Sequence, residues 1–257
     1  MRRRFGVSAV LLGAIPFIVL FGVWQLLVAV GVLDAFIVSS PDKVFSGLWQ
    51  QLTNGVIVKG LKTTLLELVV GFGLAVVVGV LVGILMGWYR RLGYILEPIV
   101  WLLYSSPVIA LYPVFTLLFG LGQGAVMAIT FLLSLSPIVV NSARGIKEID
   151  PLLIRAARSF CASDRQIFTK VALPAAVPLI MAGLRLGVGH ALVGVIIGEF
   201  FAGVAGIGYQ ISTDGELFHT PEMIASVLVV AVLGVVLAQL VNLAERRVDA
   251  WRPGERS

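Results

Sequence analysis

The sequence predicts an all-α integral membrane fold of six transmembrane helices with both termini on the cytoplasmic side. Three observations carry that expectation. Hydrophobic residues make up 59% of the chain and charged residues 13%, with a mean hydropathy of +1.02, whereas a soluble domain carries about a quarter charged residues. Six apolar stretches approach the roughly 20 residues that a hydrocarbon core of about 30 Å requires. Lysine and arginine gather in alternate joints between them, the asymmetry that orients polytopic proteins. The formal charge of +5 is therefore read as topology. Its residues are spread between apolar runs instead of forming one patch, which argues against nucleic acid as a partner. The single cysteine, Cys161, excludes an intramolecular disulfide.

The elements follow in order. The first span, about 9–33, comes after Arg2, Arg3 and Arg4 and is too long for the 7–15-residue core of a signal peptide. Ser40-Pro41-Asp42, followed by Val44, Phe45, Leu48, Trp49 and Leu52, predicts a capped amphipathic helix at the outer interface. Span two, about 63–87, carries Gly71, Ala75, Gly79, Gly83 and Gly87, a ladder of small residues that allows close helix approach in lipid. Arg90 and Arg91 precede span three, about 93–119, and span four covers about 123–142. Pro107, Pro113 and Pro137 interrupt these two spans and bend their axes. Span five, about 174–200, carries a second ladder at Gly183, Gly187, Ala191, Gly194 and Gly198. The glycine-rich joint 201–221 suits a re-entrant turn, tolerated at membrane depth where protein or water covers it. Span six covers about 222–244, and Arg246, Arg247, Arg252 and Arg256 follow it.

About 30 residues separate spans four and five, and they hold Arg144, Lys147, Arg155, Arg158, Arg165 and Lys170. Asp150-Pro151 reads as an N-cap followed by a first-turn proline. Leu152, Leu153, Ala156 and Phe160 then form an apolar stripe. Ser163 caps a second short helix whose apolar face holds Ile167, Phe168 and Val171. A helix–turn–helix with apolar residues facing out of the bilayer calls for a partner groove.

Residues 154–163 (Ile-Arg-Ala-Ala-Arg-Ser-Phe-Cys-Ala-Ser), with Ile167-Phe168 and Val171-Ala172-Leu173-Pro174, resemble the "EAA" loop of binding-protein-dependent ABC importer permeases. The stretch from Gly183-Leu184-Arg185-Leu186 through Gly198-Glu199-Phe200 to Gly206-Ile207-Gly208-Tyr209 is similar to the nitrate, sulfonate and taurine branch. The resemblance implies a type I importer transmembrane domain over residues 59–245, with coupling helices at about 145–173. Residues 1–58 would add an N-terminal span and the external segment, and 246–257 a cytoplasmic tail. It implies ATPase coupling through Arg155, Ala156, Ala157, Arg158, Phe160, Cys161, Ala162, Ser163 and Ile167. Its partners would be cytoplasmic ATPase subunits holding ATP and Mg, a periplasmic or lipid-anchored solute-binding protein, a second permease copy and membrane lipid. The location would be the bacterial inner membrane. Two residues depart from the family pattern. Arg155 stands where the family has glutamate, which implies either compensating acidic residues on the ATPase, the reading taken here, or weaker coupling. Cys161 stands at the turn glycine, where a left-handed backbone costs a non-glycine residue about 1 kcal/mol or more.

Ionisable residues inside spans are functional candidates by default. Arg185 falls about 16 Å into span five at 1.5 Å per residue, and the alternatives are a place on the solute path, a pair with a carboxylate such as Glu67 or Glu97, or bonds to backbone carbonyls of a neighbouring helix. Glu67 and Glu97 are expected to be partly solvated near span ends. His190, and Ser105, Ser106 and Tyr112 beside the prolines, are further path candidates, and Glu199 is a candidate outer gate or docking residue. With only His190 and His219 in the chain, no metal site is expected. No GxxxxGK[ST] motif occurs, so the chain binds no cofactor on this reading and is not itself the enzyme. An ATP-independent secondary transporter is the alternative, although the internal repeats usual there are not evident. A six-span serine protease would need a GxSG-like setting, which the sequence lacks.

Overall fold

A computed structural model describes residues 7–34 and 36–249. The described residues form helices joined by short turns: α1 (Val7–Ala29), α2 (Pro41–Thr53), α3 (Val56–Trp88), α4 (Arg90–Ser105), α5 (Tyr112–Phe119), α6 (Gln123–Lys147), α7 (Pro151–Ser159), α8 (Asp164–Ile167), α9 (Leu173–Ala202), α10 (Ile207–Glu216) and α11 (Thr220–Asp249). Four segments are long and apolar enough to cross a membrane: Val56–Trp88, Gln123–Lys147, Asp164–Ala202 and Thr220–Glu245. The first helix, Val7–Ala29, is also apolar along its 23 residues. Arg2, Arg3, Arg4, Arg252 and Arg256 lie outside the described residues.

The expected third span is not one helix. α4 and the Val108–Phe119 segment meet at a bend of 90°. Ser106 is extended (φ −73°, ψ 142°), the conformation a following proline imposes. A 3₁₀ turn, Val108–Leu111, then carries the chain into α5, where Pro113 occupies the first turn. Pro107 therefore breaks the span, whereas Pro137 is accommodated inside α6. The second loop helix also differs from expectation. α8 is not separate: it passes through a π turn, Phe168–Ala172, into α9. That wider turn lies just before Pro174, which cannot donate to Lys170, and π turns are a usual way to absorb such a break.

α6 lies at the centre, and both small-residue ladders face it. A Cβ on Gly71 would fall 2.9 Å from Met127 O, and one on Gly83 2.6 Å from Val139 O. From the other side, a Cβ on Gly183 would meet Asn141 Cβ at 2.8 Å and one on Gly194 Thr130 Cα at 3.0 Å. The ladders are thus used within the chain, where close backbone approach supplies the van der Waals contact that lipid does not provide between helices. The bundle has two ends. One carries α7, α8 and the basic residues Arg90, Arg144 and Lys147; the other carries α2 and α10, which pack with α11 and α3.

Candidate functional site

The α7–α8 segment is a rigid projection. Asp150 Oδ1 accepts from Leu152 N–H at 2.8 Å, which starts α7 behind Pro151. Ser163 and Gln166 form a reciprocal capping box: Gln166 N–H donates to Ser163 Oγ at 3.4 Å and Ser163 N–H donates to Gln166 Oε1 at 2.8 Å. Between them Cys161 adopts φ 55°, the left-handed turn the sequence predicts. Ile154 packs against the core cluster of Ile146, Ile149, Ala172, Ala176 and Ile180, Phe168 meets Trp88 edge-on at 4.9 Å, and Ile167 is buried. α7 buries no residue completely. Its other face presents Leu152, Leu153 and Phe160, the last 87% exposed, with Arg155 and Arg158 also exposed. A capped turn thus holds an aromatic ring out, and nothing among the described residues buries it.

A cavity of about 150 Å³ opens at the α4–α5 break, lined by Tyr104, Ser106, Val108, Ser136, Pro137 and His190 among others. His190 Nδ1 lies 2.9 Å from Leu186 O. A carbonyl only accepts, so Nδ1 is the nitrogen that donates in this contact. Deeper on α9, Arg185 forms an ion pair with Glu245 of α11.

At the α2–α10 end, Glu199 is wholly buried. Its Oε1 accepts from Thr64 Oγ at 2.6 Å and its Oε2 from Gly208 N–H at 2.7 Å. Ile207 N–H donates to Thr64 Oγ at 3.0 Å, so the start of α10 is tied to α3 and α9 together. Gly206 has φ 113°, and a Cβ there would lie 2.1 Å from Glu199 Oε1; only glycine fits. Nearby, Gln51 Nε2 donates to Asp214 Oδ2 at 3.2 Å, linking α2 to α10. Burial holds the Asp214 carboxyl above the usual carboxylate range, against the opposing effects of Gln51 and His219. Among the described residues no group of three or more His, Cys, Asp or Glu side chains could hold a metal ion.

The family described as "Binding-protein-dependent transport system inner membrane component" matches residues 75–251. The chain belongs to this family. It is a multi-pass permease component of a binding-protein-dependent transport system. A probable ABC transporter permease of Brucella abortus is 32% identical over 241 residues, 94% of this chain and 95% of that protein. A putative aliphatic sulfonates transport permease of Bacillus subtilis is 29% identical, covering 98% and 90%, and the taurine transport permease of Escherichia coli is 28% identical, covering 91% and 86%. Among solved structures, an inward-facing MetNI methionine ABC transporter chain superposes with a TM-score of 0.65 at 24% identity, over 79% of this chain and 99% of that one. That likeness shows the fold.

In this permease component the residues singled out from sequence are dispersed. Arg155, Ala156, Arg158, Phe160, Cys161 and Ser163 are exposed on the α7–α8 projection, and Ala157 and Ala162 are half-buried. Ile167 points into this chain's own core, so it anchors the projection and does not face a partner. Of the path candidates, His190 and Ser106 line the cavity. Ser105 bonds back to Trp101 O at 2.8 Å, and Tyr112 packs on Phe201 at 5.5 Å. Arg185 pairs with Glu245, not with Glu67 or Glu97. Glu97 is half-exposed and pairs with Lys147 at 3.1 Å, as partial solvation predicts, but Glu67 is only 1% exposed. Sequence reasoning missed Tyr104 and Ser136. Their one available signal was proximity to Pro107 and Pro137, where a broken backbone opens space.

Proposed function

We propose that this chain is the transmembrane half of an ATP-driven importer, pairing with a second copy of itself to form the path for a small solute delivered by a binding protein. Both termini and the α7–α8 projection lie in the cytoplasm of a bacterial inner-membrane protein, and six spans result when the first helix and the bent α4–α5 pair each count as one. The distribution of basic residues supports this orientation. ATP and Mg belong to a separate ATPase subunit. Phe160, Leu152 and Leu153 enter its groove, and acidic residues there face Arg155 and Arg158. The projection carries this reading, because the same piece is pinned to the bundle by Ile154 and Ile167 and exposed on its other face. A push on α7 therefore reaches α9 through one continuous helix, Asp164–Ala202.

The names of the relatives point to a sulfonate, taurine or related small solute, and nitrate belongs to the same class. The cavity beside His190 lies on the path. ATP binding closes the paired ATPases, and the projections swing the spans between states open to either side, with no bond chemistry in this chain. The test is co-purification with the cognate ATPase, followed by hydrolysis assays with and without loaded binding protein. Stimulated hydrolysis in the complex supports the reading. Solute transport by this chain with no ATPase present would replace it with a secondary-transporter mechanism.

A further inference from the structure

Two carboxyl groups are buried together where α3, α9 and α10 meet. Glu199 is 0% exposed and Glu67 1%. Their side chains lie within hydrogen-bonding reach of each other, yet Glu67 Oε2 has no partner among the protein's donors. Both oxygens of Glu199 are already committed to the donors Thr64 and Gly208. A pair of ionised carboxylates at this range, out of water and without a counterion, repel one another, and such pairs resolve by holding one proton between them.

Among the described residues no positive group stands against the pair. On α3, Lys59 and Lys62 are exposed to solvent. On α9, Arg185 is paired with Glu245 and His190 is bonded to Leu186. α10 brings only the acidic Asp214 and Glu216, and His219 beyond it lies by Asp214. α11 brings Glu222 at its start, and the cations of α6, Arg144 and Lys147, sit in its last turn at the opposite end.

We propose that this junction is a proton-binding site, in which Glu67 carries the proton and donates it to the Glu199 carboxylate, clamping α10 to α3 and α9. The assignment to Glu67 follows from the donors. Glu199 receives two hydrogen bonds, which suit a carboxylate, whereas Glu67 Oε2 has no donor and gains a partner only by carrying hydrogen itself. The site lies at the outer end if the orientation proposed above holds, and α10 is then held by a proton taken from the outside medium.

The asymmetry makes the site testable. Purified protein in nanodiscs is compared as wild type, Glu67→Gln and Glu199→Gln, all in an Asp214→Asn background so that Asp214 does not contribute to the titration. Infrared spectra at neutral pH should show a carboxylic-acid C=O stretch, sensitive to deuterium, that is lost in Glu67→Gln. The thermal midpoint should fall in the parent once the shared proton is removed by raising the pH and stay level for Glu67→Gln, whose amide supplies the same donor permanently. Glu199→Gln should lower the midpoint at every pH, because its amide NH₂ confronts a donor. A parent spectrum with no protonated carboxyl at neutral pH overturns the proposal, and that reading requires no variant to fold. Equal pH dependence in the parent and Glu67→Gln overturns it as well.

Discussion

Phe160→Ala separates docking from folding. The ring is 87% exposed and ends a helix that buries no residue of its own completely, so its removal leaves the bundle unchanged. Transfer of a phenylalanine side chain from water into an apolar groove is worth about 2 kcal/mol or a little more, which is roughly 30-fold in affinity. Ile167 provides the opposite case from the same loop. It is 2% exposed, and Ile167→Ala should cost the fold about 2–5 kcal/mol. Binding of the cognate ATPase to the chain in nanodiscs, measured alongside the thermal midpoint of the chain alone, distinguishes the two. Phe160→Ala should weaken ATPase binding and leave the midpoint unchanged, whereas Ile167→Ala should lower the midpoint. ATPase affinity that survives Phe160→Ala intact would refute the claim that this face enters the partner's groove.

Gly206→Ala should destabilise the α3–α9–α10 junction by about 3 kcal/mol or more, from steric conflict and unfavourable backbone together, read as a lower midpoint and faster proteolysis within α10. Cys161→Gly should raise stability by about 1 kcal/mol by releasing the left-handed turn, and Cys161→Ala should not; unfolding midpoints of the three proteins test this. Reversing either Arg185 or Glu245 alone should lower the yield of folded protein in the membrane, and exchanging the two should restore it, measured by monodisperse recovery after solubilisation. Because burial raises the Asp214 carboxyl above its ordinary range, the contribution of its protonated form is complete in acid and is lost as pH climbs through that raised value. Asp214→Asn should flatten this part of the pH–stability curve.

Local features were readable from the residues alone. The helix over Pro41–Thr53, the Asp150 and Ser163 caps, the left-handed Cys161 and the ladders at four-residue spacing each depend on neighbours a turn away. Features set by the relation between helices were not. Ser105 and Ser106 differ by one position, yet about 100° of helical rotation separates a hydroxyl bonded to its own backbone from one lining a cavity. Arg185 and Glu245 are 60 positions apart, and Glu67 and Glu199 meet only because the ladders bring α3 and α9 together against α6. Prolines marked where α4–α5 and α6 were vulnerable. Pro107 follows an extended residue at a helix end, whereas Pro137 lies inside a helix enclosed by two neighbours, and only tertiary packing distinguishes the two outcomes.

The most direct test of the central claim is solute uptake into proteoliposomes containing this chain, with the ATPase and binding protein added separately and together. Uptake is predicted only with both partners and ATP, and should fall in Phe160→Ala in step with ATPase binding. Uptake driven by an ion gradient in the absence of the ATPase would contradict the account.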